Sequence, residues 1–415
     1  MSLYFHYQQD KLFVENVVLA DIAERFGTPC YVYSRAAISD AYQQYAEALK
    51  GREHQICFAV KSNPNLAILA LLARLGAGFD IVSGGELQRV LAAGGDAAKV
   101  VFSGVGKSEA EMRQALAAGI LCFNVESEAE LVRLNDVAGS MGKVAPISFR
   151  VNPNVDAKTH PYISTGLKQS KFGVAYTDAL ALYRKASKLP HLRISGIDCH
   201  IGSQLTETSP FVAAAEKVLL LVDSLAREGI RLEHVDLGGG VGICYKDETP
   251  PSIAEYAKAV LSVMNGRTEK LIVEPGRVLV GNAGVLLTRV EYLKPGEEKH
   301  FAIVDAAMND LMRPALYDAY HAIQPLTRRA APAQRYEVVG PVCESGDFLG
   351  HARDLAIEQG DFLALMSAGA YGMSMSSNYN TRPRAAEIMI NGAEVKLVRE
   401  REKVEQLFAG EKNYL

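Results

Sequence analysis

The sequence predicts an α/β protein in which a (β/α)8 TIM-like barrel is joined to a C-terminal all-β domain. Two observations carry this expectation. From about residue 55 to 280, short β-branched or aromatic runs alternate with stretches of helical period; after 280, strand-like runs follow one another across short turns without helices. Eight strands with eight helical crossovers in about 225 residues is the arithmetic of such a barrel.

In chain order the barrel runs are ICFAVKS (56–62), GFDIVS (78–83), VVFSG (100–104), LCFNVES (121–127), PISFRVNP (146–153), ISGIDCHIGS (194–203), HVDLGGG (234–240) and LIVEPG (271–276). Helix starts are signalled between them. Ser108 to Glu111 and Ser127 to Glu130 each read S-x-x-E, a capping box, and Thr208-Ser209-Pro210 places proline in a first turn. The later runs are GVLLTRVEYL, KHFAIVDA, RYEVVG, DFLALMSA, AAEIMING and AEVKLVRE. Short strand-like pieces also precede residue 30, so the expected domains are a barrel over 31–280 and a β-domain built from 1–30 and 281–415.

Charge and composition exclude several function classes. With 48 acidic against 44 basic side chains and a net charge of -4, the chain lacks a nucleic-acid footprint. Hydrophobic residues at 48% and charged ones at 22% fit a globular protein with a large core. Cys30, Cys57, Cys122, Cys199, Cys244 and Cys343 form no C-x-x-C pair, so neither a metal site nor a disulfide framework is expected. MSLYFHYQQDKLF has no basic n-region followed by an apolar h-region, so no leader is expected, and no run approaches the roughly 18 apolar residues of a spanning helix. No membrane partner and a cytoplasmic address are the expectations.

Chemistry in such a barrel sits at the C-terminal ends of its strands, and these ends are unusually polar here. Lys61 continues the run ICFAV; either it snorkels to the rim, or it is a desolvated amine able to form a Schiff base. Gly238, Gly239 and Gly240 lack Cβ atoms, so their N–H groups can converge on an anion, although glycine triplets are also simple turns. Ser203, ending the neighbouring strand, can add a hydroxyl donor. Glu274 precedes Pro275, Gly276 and Arg277; it either pairs with Arg277 or holds a protonated ring nitrogen by its opposite charge. His200 is either a structural imidazole or a face for a flat cofactor, and Asp80 ends strand two.

In this order, the strand-one lysine, H-I-G-S-Q, G-G-G and E-P-G-R resemble the pyridoxal-phosphate decarboxylases of the alanine-racemase-like fold, and the diaminopimelate decarboxylases most of all. The resemblance extends through GTPCYVYS (27–34), CFAVKSNPN (57–65), GFDIVSGGEL (78–87), STGLKQSKFG (164–173), RPALYDAYH (313–321), CESGDFLG (343–350) and GAYGMSMSSNYN (369–380). It implies pyridoxal 5'-phosphate held covalently by Lys61, with Glu274 on the pyridine nitrogen, His200 against the ring and Asp80 in the surrounding network. Ser203, the glycine run ending at Gly240, the 274–277 turn with Gly276, and Tyr371 would receive the phosphate. Family members are homodimers with shared sites, which implies that Cys343, Glu344 and Tyr371 act from the partner's C-terminal domain. Cys343 would return a proton to Cα after carbon dioxide leaves; a free cysteine is otherwise a small buried hydrophobe.

The substrate implied by the resemblance is a small amino acid, meso-2,6-diaminopimelate, decarboxylated to L-lysine. Its distal end is a zwitterion, so Arg277 and Arg313 suit the carboxylate, Glu344 the ammonium, and Tyr317 a further hydrogen bond. Ornithine would leave Arg313 buried and unmatched, a rejection worth several kcal/mol; the competing reading of Arg313 is a surface ion pair. Decarboxylation of ornithine, arginine or carboxynorspermidine, and a non-enzymatic pyridoxal-phosphate carrier, are the alternatives. A racemase fits less well, because alanine racemases place arginine where this chain has Glu274.

Overall fold

Runs such as ICFA and VVF are apolar on both faces, so they are satisfied between parallel neighbours beneath a layer of helices. The computed structural model describes residues 3–156 and 170–413. Strand one is His54–Ala59, two Gly78–Ile81, three Val100–Phe102, four Cys122–Val125, five Ala145–Asn152, six Leu192–Asp198, seven His234–Asp236 and eight Lys270–Val273. Each pairs in parallel with the next, and strand eight returns to strand one, which closes the barrel. The strands are shorter than their apolar runs: Lys61, His200 and the glycine triplet all lie beyond the last paired residue. The crossover helices include Leu66–Arg74, Gly84–Ala92, Glu109–Ala118, Glu128–Ser140, Tyr176–Ala186, Ser209–Arg227 and Ile253–Val263. After strand eight comes only the four-residue helix Arg277–Val280, in place of an eighth full crossover.

Phe58, Phe79, Phe102, Phe123 and Phe149, one on each of the first five strands, are buried to within 1%. Each contributes about 1.5–3 kcal/mol by leaving water. Phe149 meets Tyr183 of helix Tyr176–Ala186 edge to face at 4.8 Å, so it points outward to the helices. Period-two alternation then sends its neighbour Arg150 into the barrel interior.

Ser108 forms the predicted reciprocal box with Glu111, and helix Glu109–Ala118 ends on left-handed Gly119. The second expected box forms only by half. Ser127 caps the Glu130 N–H, but the Glu130 carboxylate turns away to accept from the Glu126 N–H and from Lys107 Nζ at 2.8 Å. Lys107, nearly inaccessible, also donates to the carbonyls of Gly104 and Asn124. An ion pair outcompetes the cap because a buried ammonium needs an anion.

By their contacts, residues 41–243 and 249–278 form the barrel unit, and residues 1–40, 244–248 and 279–415 form a second, β-rich unit. The chain thus joins the barrel unit about ten residues later than the sequence boundary of 31, because strand Cys30–Ser34 belongs to the β-rich sheet. There it pairs antiparallel with the first half of Gly284–Lys294 and parallel with Ala386–Asn391. His300–Val304, Gln334–Val339 and Phe348–Leu355 extend the sheet from the other half of the long strand. Phe348–Leu355 escapes a hydrophobicity reading because its middle, HARD, is largely exposed and polar. Val32, Val285, Leu287, Ile388 and Ile390 fill the core of this unit, together with Leu12, Leu19 and Ile22 from the first residues.

Replacing Lys107 by methionine is expected to cost about 3–5 kcal/mol, since Glu130 is left buried without its cation. The midpoint of urea unfolding measures it, and restoring most of the loss by adding Glu130→Leu identifies the uncompensated charge as the cause.

Candidate active site

Lys61 sits on a single 3-10 turn, Val60–Ser62, that follows strand one. Its side chain is 37% exposed, and its Nζ donates to Asp80 Oδ2 at 2.5 Å, whereas Asp80 is wholly buried. The lysine is therefore anchored to the neighbouring strand and held at the mouth of the barrel, where the snorkelling reading had it free at the rim. Asp80 Oδ1 takes no hydrogen bond among the described residues. The turn is closed by Ser62 Oγ donating to the Ala59 carbonyl.

The glycine triplet after strand seven is required by close approach. Gly238 has φ +65°, and a Cβ there would fall 2.8 Å from His200 Nδ1. At Gly239 a Cβ would meet the Glu274 carbonyl at 2.1 Å, and at Gly240, φ +120°, the Gly202 carbonyl at 2.4 Å. The backbone is fixed from both sides. The Gly238 N–H donates to Asp236 Oδ1 at 2.8 Å, the Gly238 carbonyl accepts from the Glu274 N–H at 2.7 Å, and the Gly239 N–H donates to His200 Nδ1 at 3.2 Å. His200 Nδ1 is thus an acceptor, and burial beside Arg150 and Lys61 holds the imidazole uncharged, well below its ordinary range.

Gln204 bridges the neighbouring loops, donating to the Ile243 carbonyl and accepting the Ile243 N–H. Arg277, buried, donates through Nε and Nη2 to Ser203 Oγ at 3.3 and 3.0 Å. Glu274 makes no ion pair with Arg277 among the described residues, so the rim-pair reading of Glu274 is not what this structure contains. Gly276 keeps the following turn close to Ala59 and Ser62, where a Cβ would stand 3.0 Å from the alanine methyl.

Glu274 instead faces other acids. Its carboxylate lies with those of Asp198 and Asp236 so that one oxygen of each falls within 4.8 Å of the others, all three buried. Glu274 Oε1, Asp198 Oδ1 and Asp236 Oδ2 have no N–H or hydroxyl donor among the described residues. Burial first, and then the neighbouring negative charges, push Glu274 and Asp198 well above the usual carboxylate range and Asp236 up to about 7. The nearby cations are Lys61 on Asp80, and Arg150, which lies 3.6 Å from Glu126 and 4.0 Å from Asp198. The Gly238 and Gly239 N–H groups are taken by Asp236 and His200, so the triplet does not offer all its amides to an anion as expected. An orphaned carboxylate oxygen at the floor of a polar mouth suits a cationic ring nitrogen, the lysine amine suits an aldehyde, and the Arg277 guanidinium with the Ser203 hydroxyl suits a phosphate. The residues present therefore fit pyridoxal phosphate.

The remaining predicted residues belong to the β-rich unit. Arg313 opens the one-turn helix Arg313–Tyr317 and is buried, with Nη1 donating to His321 Nε2 at 2.8 Å and the guanidinium 4.5 Å over the Tyr245 ring. The opposite ring nitrogen, Nδ1, bonds the Met366 carbonyl at 2.8 Å, which fixes the tautomer that accepts from arginine. This replaces the surface ion pair that was the competing reading of Arg313. Tyr317 and Tyr371 are half-buried, and Tyr371 holds φ +56°, a left-handed conformation unusual for tyrosine. Cys343 and Glu344 are exposed neighbours, with the Cys343 N–H on Asn380 Oδ1. In the run STGLKQSKFG, residues 164–169 lie outside the described residues. Sequence reasoning passed over Arg150, Asp198, Asp236, Gln204 and His321 as site residues. A charged residue within a strand otherwise apolar, as in FRV and HVD, was the available signal for the strand residues.

The pyridoxal-binding domain of the pyridoxal-dependent decarboxylases matches residues 35–281. Diaminopimelate decarboxylase of Pseudomonas aeruginosa is 60% identical over 407 residues, 98% of either chain. Among solved structures, diaminopimelate decarboxylase from Helicobacter pylori complexed with L-lysine superposes with TM-score 0.92 at 45% identity, covering 95% of this chain and 99% of that one. The M. jannaschii enzyme, also in complex with L-lysine, gives TM-score 0.95 at 40% identity, covering 99% and 98%. Similarity of this depth along nearly the full length means that the chain belongs to the diaminopimelate decarboxylases, within the pyridoxal-dependent decarboxylases.

Proposed function

We propose that this chain is a carboxy-lyase that uses pyridoxal 5'-phosphate to decarboxylate meso-2,6-diaminopimelate at its D-centre, giving L-lysine and carbon dioxide, the last step of lysine biosynthesis. The observation that carries it is the unsatisfied Glu274 carboxylate, buried among acids beside the tethered amine of Lys61. When bound, pyridoxal phosphate supplies an electron sink for the pair left on Cα by departing carbon dioxide.

The chain's residues do the rest. Lys61 would hold the cofactor through its amine, which Asp80 keeps at the mouth of the barrel. Glu274 keeps the ring nitrogen protonated, since an anion a few ångströms away favours the charged form. His200, uncharged, offers an apolar face that does not compete for that proton. Ser203, Gly240, Gly276, Arg277 and Tyr371 receive the phosphate, while the Gly238 and Gly239 N–H groups, already given to Asp236 and His200, hold the loop in place. Arg277 and Arg313 bind the distal carboxylate, Glu344 the distal ammonium, and Tyr317 and Tyr371 complete the substrate contacts. Cys343 returns the proton to Cα. Its exposure, with that of Glu344, supports a homodimer in which each site is finished by the partner subunit. Among the described residues no helix is long and apolar enough to cross a membrane, which accords with a cytoplasmic enzyme.

The purified protein with pyridoxal phosphate is expected to release carbon dioxide from meso-diaminopimelate at least about a hundredfold faster than from ornithine or arginine. Equal turnover of ornithine overturns the substrate assignment. In Lys61→Ala, the visible cofactor absorbance that borohydride discharges is expected to vanish; a reducible adduct on another lysine refutes the role of Lys61. Finally, Lys61→Ala and Cys343→Ala proteins, each nearly inactive, are expected to regain about a quarter of wild-type sites when mixed in equal amounts and allowed to exchange subunits. In a mixed dimer one site carries both lesions and the other neither. A mixture that stays inactive after proven exchange rejects the shared site.

A further inference from the structure

Asp236 is fully buried, and its two carboxylate oxygens do different things. Oδ1 accepts the Gly238 N–H at 2.8 Å, while Oδ2 faces Glu274 and Asp198 and has no N–H or hydroxyl donor among the described residues, so its one partner there is an acid proton shared with Glu274. The same glycine accepts the Glu274 N–H on its carbonyl, so one peptide links both acids to the start of the glycine loop. The charged groups around Asp236 are Asp80, Asp198, Glu274, Lys61 and, behind Asp198, Arg150; the first cation is bonded to Asp80 and the second lies between Glu126 and Asp198. Close by, the thiols of Cys57 and Cys122 and the Tyr256 phenol are kept neutral by burial.

We propose that Asp236 is a positioning residue for the cofactor: one oxygen fixes the glycine loop, and the other places negative charge behind Glu274 so that a cationic ring nitrogen is bound there. This rests on the functional reading above and deepens it. Without a cation, the cluster must either carry buried negative charge or take up protons that the unfolded chain does not hold at pH 8, and both cost stability. With a protonated ring nitrogen in place, the same charge becomes favourable. The acids thus store a cost in the empty protein that the cofactor relieves. A carboxylate whose role was only to hold the loop would show the opposite pattern, stabilising the empty protein.

The test uses apoprotein at pH 8, above the range in which Asp236 takes up a proton. Asp236→Asn keeps an acceptor for the Gly238 N–H and removes the charge. The expected result is a higher urea midpoint for the apoprotein together with a dissociation constant for pyridoxal phosphate raised about tenfold. In a Glu274→Gln background, where the ring nitrogen has no carboxylate to keep it protonated, the effect of Asp236→Asn on that constant is expected to disappear. An unchanged constant, a lower midpoint, or full additivity with Glu274→Gln overturns the proposal. Should Asp236→Asn fail to fold, the Glu274→Gln apoprotein decides alone: the strained cluster requires it to exceed wild type in stability, and a midpoint no higher rejects the inference. Wild-type protein that binds no pyridoxal phosphate would overturn the functional reading and this proposal with it, whereas normal wild-type binding with an unaffected Asp236→Asn overturns this proposal alone.

Discussion

The barrel interior gathers more buried negative charge than positive, and the mouth is organised around that imbalance. Asp80, Glu126, Asp198, Asp236 and Glu274 are all buried, against Lys61 and Arg150. Arg150 covers Glu126 and Asp198, and Lys61 covers Asp80, which leaves Asp236 and Glu274 as the least compensated pair. Burying a lone carboxylate is expensive, so such a pair persists only where the fold holds it rigidly or a ligand relieves it. Strands six, seven and eight supply the rigidity, since each acid lies on or just past a strand paired on both sides.

The loops above the acids are tied to one another. Leu205 donates its N–H to the Gly240 carbonyl, the Gly242 N–H returns to Leu205, and the Gln204 side chain spans to Ile243 in both directions. Strand ends six and seven therefore present a single backbone surface, with Ser203 and Arg277 joined beside it. These N–H groups are spent on the protein's own acceptors, which fixes the path of the loop. Glycine is the residue that allows it, because any Cβ at these positions would collide with backbone.

The β-rich unit has a different construction problem. Its sheet unites Cys30–Ser34 with Ala386–Asn391 in parallel register, so the two ends of the chain must meet before that core can close. Such long-range pairing is entropically late, since the loop it closes is the whole barrel. Within this unit Arg313 is held by His321, and His321 by the Met366 carbonyl, a chain of hydrogen bonds that leaves the guanidinium one orientation. A fixed arginine is what geometric recognition of a carboxylate requires.

Much of this was legible in the chain itself. Strand-to-helix alternation gave the barrel, and the polar residues that end its strands marked Lys61, His200, Ser203, Glu274 and the glycines as a common mouth, because strand ends in a barrel converge whatever the side chains are. Family resemblance supplied the cofactor, which composition does not disclose. Period and propensity could not show that Cys30–Ser34 belongs with the C-terminal strands, that the Glu130 carboxylate abandons its cap for Lys107, or that Arg313 is buried against His321 and Tyr245. Nor could they show that Asp198, Asp236 and Glu274, from three different strands, share one small volume. Local sequence determines which residues end a strand and which face they take, since those follow from backbone geometry over a few residues. Which charges meet is decided by barrel closure and strand register, since only those bring distant side chains within a few ångströms and so set the cost of burying them.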